Sequence, residues 1–142
     1  MAQSEYDRKR YIKQKSEDPK FGKKKYKKQK EAINANPELF AGNKYSKQRT
    51  KALTDRKLCW RLDRQKTIKM IVETQRCQLS GRELVFEIGH PDSPSIDRIN
   101  SRRGYTKSNI QIVGSRVNQA KNNMTDEEFI ALCVDVARHH GY

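Results

Sequence analysis

Pro94-Ser95-Ile96-Asp97-Arg98-Ile99, then Gly104-Tyr105-Thr106-Lys107-Ser108-Asn109-Ile110-Gln111-Ile112-Val113, then Asn118-Gln119-Ala120-Lys121, is the stretch that carries most information in these 142 residues. Residues 95–99 and 110–113 are short and rich in β-branched side chains, so both read as strands. The segment between them, 100–108, is rich in turn-formers. Upstream, Gly81 and Gly89-His90-Pro91 bracket residues 84–88, which read as a further short strand. Downstream, Ser115 is placed to cap a helix over 116–122, and Thr125 with Glu128 forms a capping-box pattern for a last helix. Phe129, Ile130, Leu132, Cys133 and Val136 share one face of that helix, so all five, Cys133 included, are expected in the core. The second half thus reads β, β, β, α, α, a small α+β domain over residues 77–142.

The first half differs in kind. Residues 1–76 carry 23 Lys and Arg against 9 Asp and Glu, whereas residues 77–142 carry 8 against 8, so the whole net charge of +14 sits in front. Residues 1–50 show little apolar periodicity and read as a basic arm, helical in pieces, mobile or ordered on binding. A short phrase recurs in it, Tyr11-Ile-Lys-Gln-Lys, Tyr26-Lys-Lys-Gln-Lys and Tyr45-Ser-Lys-Gln-Arg, with Pro19 and Pro37 as interruptions. Residues 51–76 read as a linking helix, because Leu58, Leu62, Ile68, Ile71 and Val72 follow a helical stripe between 54 and 74. A chain of this length has room for one modest domain with an extension and not for two large ones.

A single-sign field of this size attracts polyanions. Tyr6, Tyr11, Tyr26, Tyr45 and Trp60 are interleaved with the cations and are placed to stack on bases, which favours nucleic acid over a solvated basic tail or an anionic membrane. No run of about 18 apolar residues is present and the amino terminus lacks the apolar core of a secretory signal, so a cytoplasmic protein is expected. Cys59, Cys77 and Cys133 are odd in number and form no Cys-x-x-Cys pair, which points to reduced thiols and to neither a disulfide framework nor a structural zinc site.

The pattern Ser-x-Asp-Arg-Ile, Gly-Tyr-x-x-x-Asn-Ile and Asn-x-x-Lys, at positions 95–99, 104–110 and 118–121, resembles the HNH (ββα-metal, His-Me finger) endonuclease superfamily. The branch it is most similar to is the phage-type one with Asp-Arg-Ile in place of Asp-His. The likeness is close from Ser95 to Lys121 and reaches loosely back to the Cys77-x-x-Ser80-Gly81 turn. Arg98 to Asn109 is eleven residues and Asn109 to Asn118 is nine, in keeping with the superfamily's spacing. The resemblance implies a ββα-metal core and a phage or mobile-element setting, the host cytoplasm in that case. It further implies that Asp97 and Asn118 hold a metal ion while Asn109 pins the loop between the strands. Their oxygens are hard ligands suited to Mg²⁺ or Mn²⁺, which would assist departure of the leaving oxygen from a scissile phosphate. Taken singly, an Asp-Arg pair at a strand end is often a surface ion pair and an Asn at a helix start often a cap.

One departure matters. Many members carry His directly after the Asp as general base, and here Arg98 stands there; a guanidinium takes no proton from water, so Arg98 is expected to clamp phosphate instead. His90, seven residues before Asp97, is the candidate base; its bland alternative is a loop histidine beside Pro91, and His139 and His140 are poorer candidates. The expected function is metal-dependent DNA endonuclease, nicking or homing-type. Its rivals are a DNA-binding accessory with the same fold and no activity, and a basic RNA-binding or ribosome-associated protein. The expected partner is DNA, held mainly by its phosphates, with no membrane. Lys23, Lys24, Lys25, Lys27 and Lys28 in the arm, and Arg102, Arg103, Lys107 and Lys121 around the pattern, are the expected contacts.

Overall fold

Which residues of the first half leave the solvent is the first thing the fold decides. The computed structural model describes residues 3–142; the side chains of Gln3, Ser4 and Tyr6 lie outside the described set, and with them the expectation for Tyr6. Helices α1 (Gln3–Glu17), α2 (Phe21–Asn34), α3 (Pro37–Thr54) and α4 (Arg64–Glu73) come first. Strands β1 (Pro94–Arg98) and β2 (Ile110–Gly114) pair antiparallel, and α5 (Ser115–Lys121) and α6 (Asp126–His139) follow, giving an α+β chain. No helix among the described residues is long and apolar enough to cross a membrane.

The recurring tyrosine phrase falls once on each of α1, α2 and α3. Pro19 lies between α1 and α2, while Pro37 takes the first position of α3, where its missing N–H costs nothing and the Asn36 side chain accepts from Leu39 N at 3.0 Å. Tyr11 meets Phe21 at 5.9 Å across the first of these breaks. Most of the described α1 and α2 surface is exposed lysine, arginine and glutamine, and among the described side chains of the two helices Ile33 of α2 alone is buried.

The arm stops well before residue 50. Helix α3 buries Phe40, Ala41, Tyr45 and Ala52 and packs against α4 and β1. Its inward stripe runs 41, 45, 48, 52, and the polar Gln48 in it broke the periodicity that the sequence offers. Gln48 is there to donate to the buried Tyr105 hydroxyl. The helix expected from 54 to 74 is also shorter. Lys57 adopts φ +50° and residues 55–63 form a loop that supplies Leu58 and Leu62, until Asp63 caps α4 by accepting from Lys66 N at 2.8 Å.

Residues 84–88 are not a strand. Their donors go to scattered partners, Leu84 N to Gln75 O, Val85 N to Asp92 O and Ile88 N to the Asn34 side chain, so no neighbouring ladder exists for them to join. Instead Gln78 clips the outer edge of β2, its N–H donating to Ile112 O and its Oε1 accepting from Ile112 N. Cys77 is buried at the start of this turn. Burial pushes its thiol up, but hydrogen bonds from Ser80 and from the backbone of Gly114, Ser80 and Leu79 outweigh it and leave the thiol below its ordinary value.

At the sheet's far end Ser115 is the first residue of α5 and does not cap it; its hydroxyl turns back to Ser93 O. The capping box of α6 is present in full, with Thr125 Oγ1 accepting from Glu128 N and Glu128 accepting from Thr125 N. The apolar face of α6 is not in the core, however. Ile130, Leu132, Val134 and Val136 are 39–54% exposed and Cys133 is exposed as well, because no described helix or strand makes an extensive contact with this helix.

Candidate active site

Strand alternation decides which side chains of the signature pattern can meet. Ser95 and Asp97 point to one face of β1 and Gln111 to the same face of β2, since Asp97 lies directly opposite Gln111 in the register. Helix α5 covers that face. Asn118 Nδ2 donates to Ser95 Oγ at 2.7 Å, and one turn later Lys121 reaches Asp97. Of these residues Ser95, Asp97 and Asn118 border a polar cleft of about 450 Å³ whose opposite wall is α3 and the residues after it, contributing Gln48, Lys51 and Arg56.

Asp97 is 4% exposed and Lys121 0%. The Lys121 ammonium lies 3.1 Å from Asp97 Oδ2 and 3.4 Å from Asp126 Oδ1, and donates at 2.6 Å to Arg98 O. Gln111 Nε2 bridges the same two carboxylates, at 2.9 Å from Asp97 Oδ2 and 2.9 Å from Asp126 Oδ1. Two carboxylates thus share one ammonium and one amide, with every buried polar side-chain atom among the described residues satisfied. Lys121, expected to contact nucleic acid, is sealed inside and has no surface to offer. Gln111 and Asp126 carried no sequence signal for this role beyond lying within the pattern or just after it.

Arg98 points to the other face of β1. Its Nη1 donates to Ser101 O at 2.7 Å and Arg103 O at 3.0 Å, and its guanidinium sits 5.3 Å from the Tyr105 ring centroid. It borders the cleft while bracing the loop between the strands. Asn109 braces the same loop from the other end, donating to Asn100 O and Gly104 O and accepting from Asn100 N at 2.9 Å. Gly104 is required in the loop because a Cβ there would lie 2.8 Å from Cys59 O. Behind it Tyr45, Trp60 and Tyr105 stack with centroids 5.3 and 4.7 Å apart, and Trp60 Nε1 donates to the Tyr45 hydroxyl. Tyr45 and Trp60, expected as base-stacking residues, are therefore the wall behind the cleft, and only Tyr11 and Tyr26 of the described set remain on the basic surface.

His90 is not brought to Asp97. It sits before β1, where its Nδ1 accepts from Asp92 N at 3.0 Å and so closes a turn. Among the described residues no histidine borders the cleft, and His139 and His140 meet edge to face at the end of α6. Lys23, Lys24, Lys25, Lys27 and Lys28 are exposed along α2, and Arg102, Arg103 and Lys107 are exposed on the loop between the strands. Lys51 and Arg56, which belong to no motif, are the exposed cations of the cleft wall.

Among the described residues Asp97 is the one acidic residue that lines the cleft, and no group of three or more His, Cys, Asp or Glu side chains gathers. The donors that remain are hard oxygens: the Asp97 carboxylate, and the Asn118 Oδ1 left over once its Nδ2 has donated to Ser95. That set fits a small divalent cation of the kind that takes one or two carboxylates and fills its shell with water and substrate phosphate. Any such ion has to share Asp97 with Lys121. Comparisons with protein-family models, with curated proteins and with solved structures give no match.

Proposed function

We propose that the protein is a divalent-metal-dependent DNA endonuclease of the HNH kind, hydrolysing phosphodiester bonds in a nicking or homing-type reaction. The observation that carries this reading is that Asp97 and Asn118 both line a polar cleft whose other wall holds Lys51 and Arg56. Asn109 pinning the loop between the strands adds to it, since that is the part the resemblance gives this residue.

Asp97 and Asn118 would hold the ion, Mg²⁺ or Mn²⁺, which would neutralise charge building on the scissile phosphate. The chain's own residues do the rest. Lys51 and Arg56 attract and orient a phosphate, and Arg98 keeps its remaining donors at the cleft edge. The buried Lys121 ammonium and the Gln111 amide fix the direction of the Asp97 carboxylate. No histidine among the described residues lines the cleft and His90 closes its own turn, so His90→Ala is expected to leave the rate of cleavage unchanged. The exposed lysines of α2 supply backbone affinity that weakens as salt rises.

A second reading is a DNA-binding accessory that does not hydrolyse its ligand; the closure of Asp97 by Lys121 and Gln111 favours it. Supercoiled plasmid incubated with the protein, with and without Mg²⁺ or Mn²⁺ and then with chelator, separates the two. Metal-dependent nicking that is lost in Asp97→Ala and Asn118→Ala, with DNA affinity kept within a few-fold, supports the enzyme. A mobility shift with no cleavage under any metal sinks the enzyme and leaves the accessory.

A further inference from the structure

The most conspicuous unexplained surface is α6. It is a 14-residue helix closed by a complete capping box, yet none of its residues is buried. It is fastened at its first turns only: Asp126 joins Lys121 and Gln111, Glu128 lies 3.5 Å from Arg102, and Phe129 is partly buried against the core. Beyond that point Leu132, Cys133 and Val136, with Ile130 and Val134 flanking them, make an exposed apolar stripe at the i, i+3, i+4, i+7 spacing counted from Phe129. A lone helix of this length is marginal in water, and its stripe has the spacing that packs against another helix.

We infer that this stripe is covered by the α6 of a second copy of the chain, the two helices running antiparallel about a two-fold axis. The charges select this occupant. With Asp126 held by Lys121 and Gln111, Glu127 and the half-exposed Glu128 leave the first turn acidic, while Arg138 and His139 make the last turn basic, so an antiparallel pair sets each acidic end against a basic end, whereas a parallel pair stacks like on like. The attachment points agree, because each helix is tied to its own domain at its first turn and antiparallel pairing puts the two domains at opposite ends. A 14-residue helix is ~21 Å long, so the two Asp126–Lys121 attachments stand at least that far apart. The seam is smaller than the ~800 Å² per partner of a standard interface, so the pair forms in the micromolar range or weaker and is reinforced when both copies lie on one DNA. The pairing follows from α6 alone and stands or falls separately from the nuclease reading.

Cys133, next to the middle of the helix, gives the test. In the Cys59→Ser chain, sedimentation at rising concentration should show monomer converting to dimer, and a short bis-maleimide should link Cys133 to Cys133 in that dimer. Leu132→Lys with Val136→Lys should weaken association at least tenfold while circular dichroism keeps its helical signal. Moving the thiol to the helix end, with Cys59→Ser, Cys133→Ser and Arg138→Cys, should abolish the link, because antiparallel ends lie far apart. A chain that stays monomeric at millimolar concentration, a dimer that survives Leu132→Lys with Val136→Lys, or a link that persists through position 138 would each overturn the proposal.

Discussion

Helices α5 and α6 follow one another in the chain and invert what hydropathy leads one to expect. The seven residues of α5, Ser-Arg-Val-Asn-Gln-Ala-Lys, are mostly polar, and the helix ends on a lysine with no exposed surface. The fourteen of α6 hold Phe, Ile, Leu, Cys and two Val, and none is buried. What separates them is partners. Lys121 finds two carboxylates, which the Gln111 amide bridges, and a backbone carbonyl, and together they offset the cost of removing its charge from water. Beyond Phe129 the α6 stripe finds no burial among the described residues. Burial in this small domain is set by pairing geometry at a few points, and apolar content alone does not predict it.

Breaking the buried side of that comparison should give the largest effect. Lys121→Ala leaves Asp97 and Asp126 facing one another without a countercharge, and removing one member of a buried ionic set costs ~3–5 kcal/mol. Urea unfolding followed by fluorescence of Trp60 would measure it. A loss below about 1 kcal/mol would place Lys121 on the same footing as an exposed surface ion pair. Losing the cap of α6 should matter less: Thr125→Ala is expected to cost about 1 kcal/mol, seen as faster amide exchange confined to α6 while the Trp60 transition barely moves.

Those two expectations also mark how far the sequence could be read. The signature pattern foretold β1, β2 and α5, because strand alternation, turn residues and local spacing are short-range and appear in the order of letters. The capping box of α6 was legible for the same reason. Lys121 was read as a DNA contact, since no local rule says that Asp126, five residues on, will fold back to share it. The 41, 45, 48, 52 stripe of α3 was hidden by Gln48, whose partner Tyr105 lies 57 residues away. His90 looked near Asp97 because residues 84–88 resemble a strand, and a hairpin would have delivered it. Without a ladder partner no hairpin forms, and the imidazole closes its own turn instead.

Acid should separate the two helices as well. Asp92 accepts from Arg82 at 3.3 and 3.2 Å and lies 3.2 Å from Arg116 in the first turn of α5. The Arg82 hydrogen bonds, with the charges of Arg116, Arg82 and His90, hold its carboxyl below the usual carboxylate value. A group depressed in this way contributes stability above its unfolded-state pKa and loses it as pH falls through the lower folded value. Thermal unfolding from neutral pH downward should therefore show a fall in stability on the acid side of the ordinary carboxylate range, and Arg82→Met should lessen that fall. Equal acid sensitivity in the wild type and Arg82→Met would mean that Asp92 does not anchor α5 in this way.

The smallest effect is expected where apolar residues are most abundant. Leu132→Gln exchanges a side chain already 48% exposed for a polar one of good helix propensity. In dilute solution, where the chain is monomeric, unfolding should shift by no more than ~0.5 kcal/mol, the range for surface positions. Burying an exposed leucine contributes of the order of 1–2 kcal/mol, so at concentrations where copies associate the same substitution should lower the midpoint measurably. A cost that appears only on concentration ties the α6 stripe to a second copy. A cost of 2 kcal/mol or more in the dilute sample would mean that Leu132 packs within its own chain, and the contrast between α5 and α6 would fail at its apolar end.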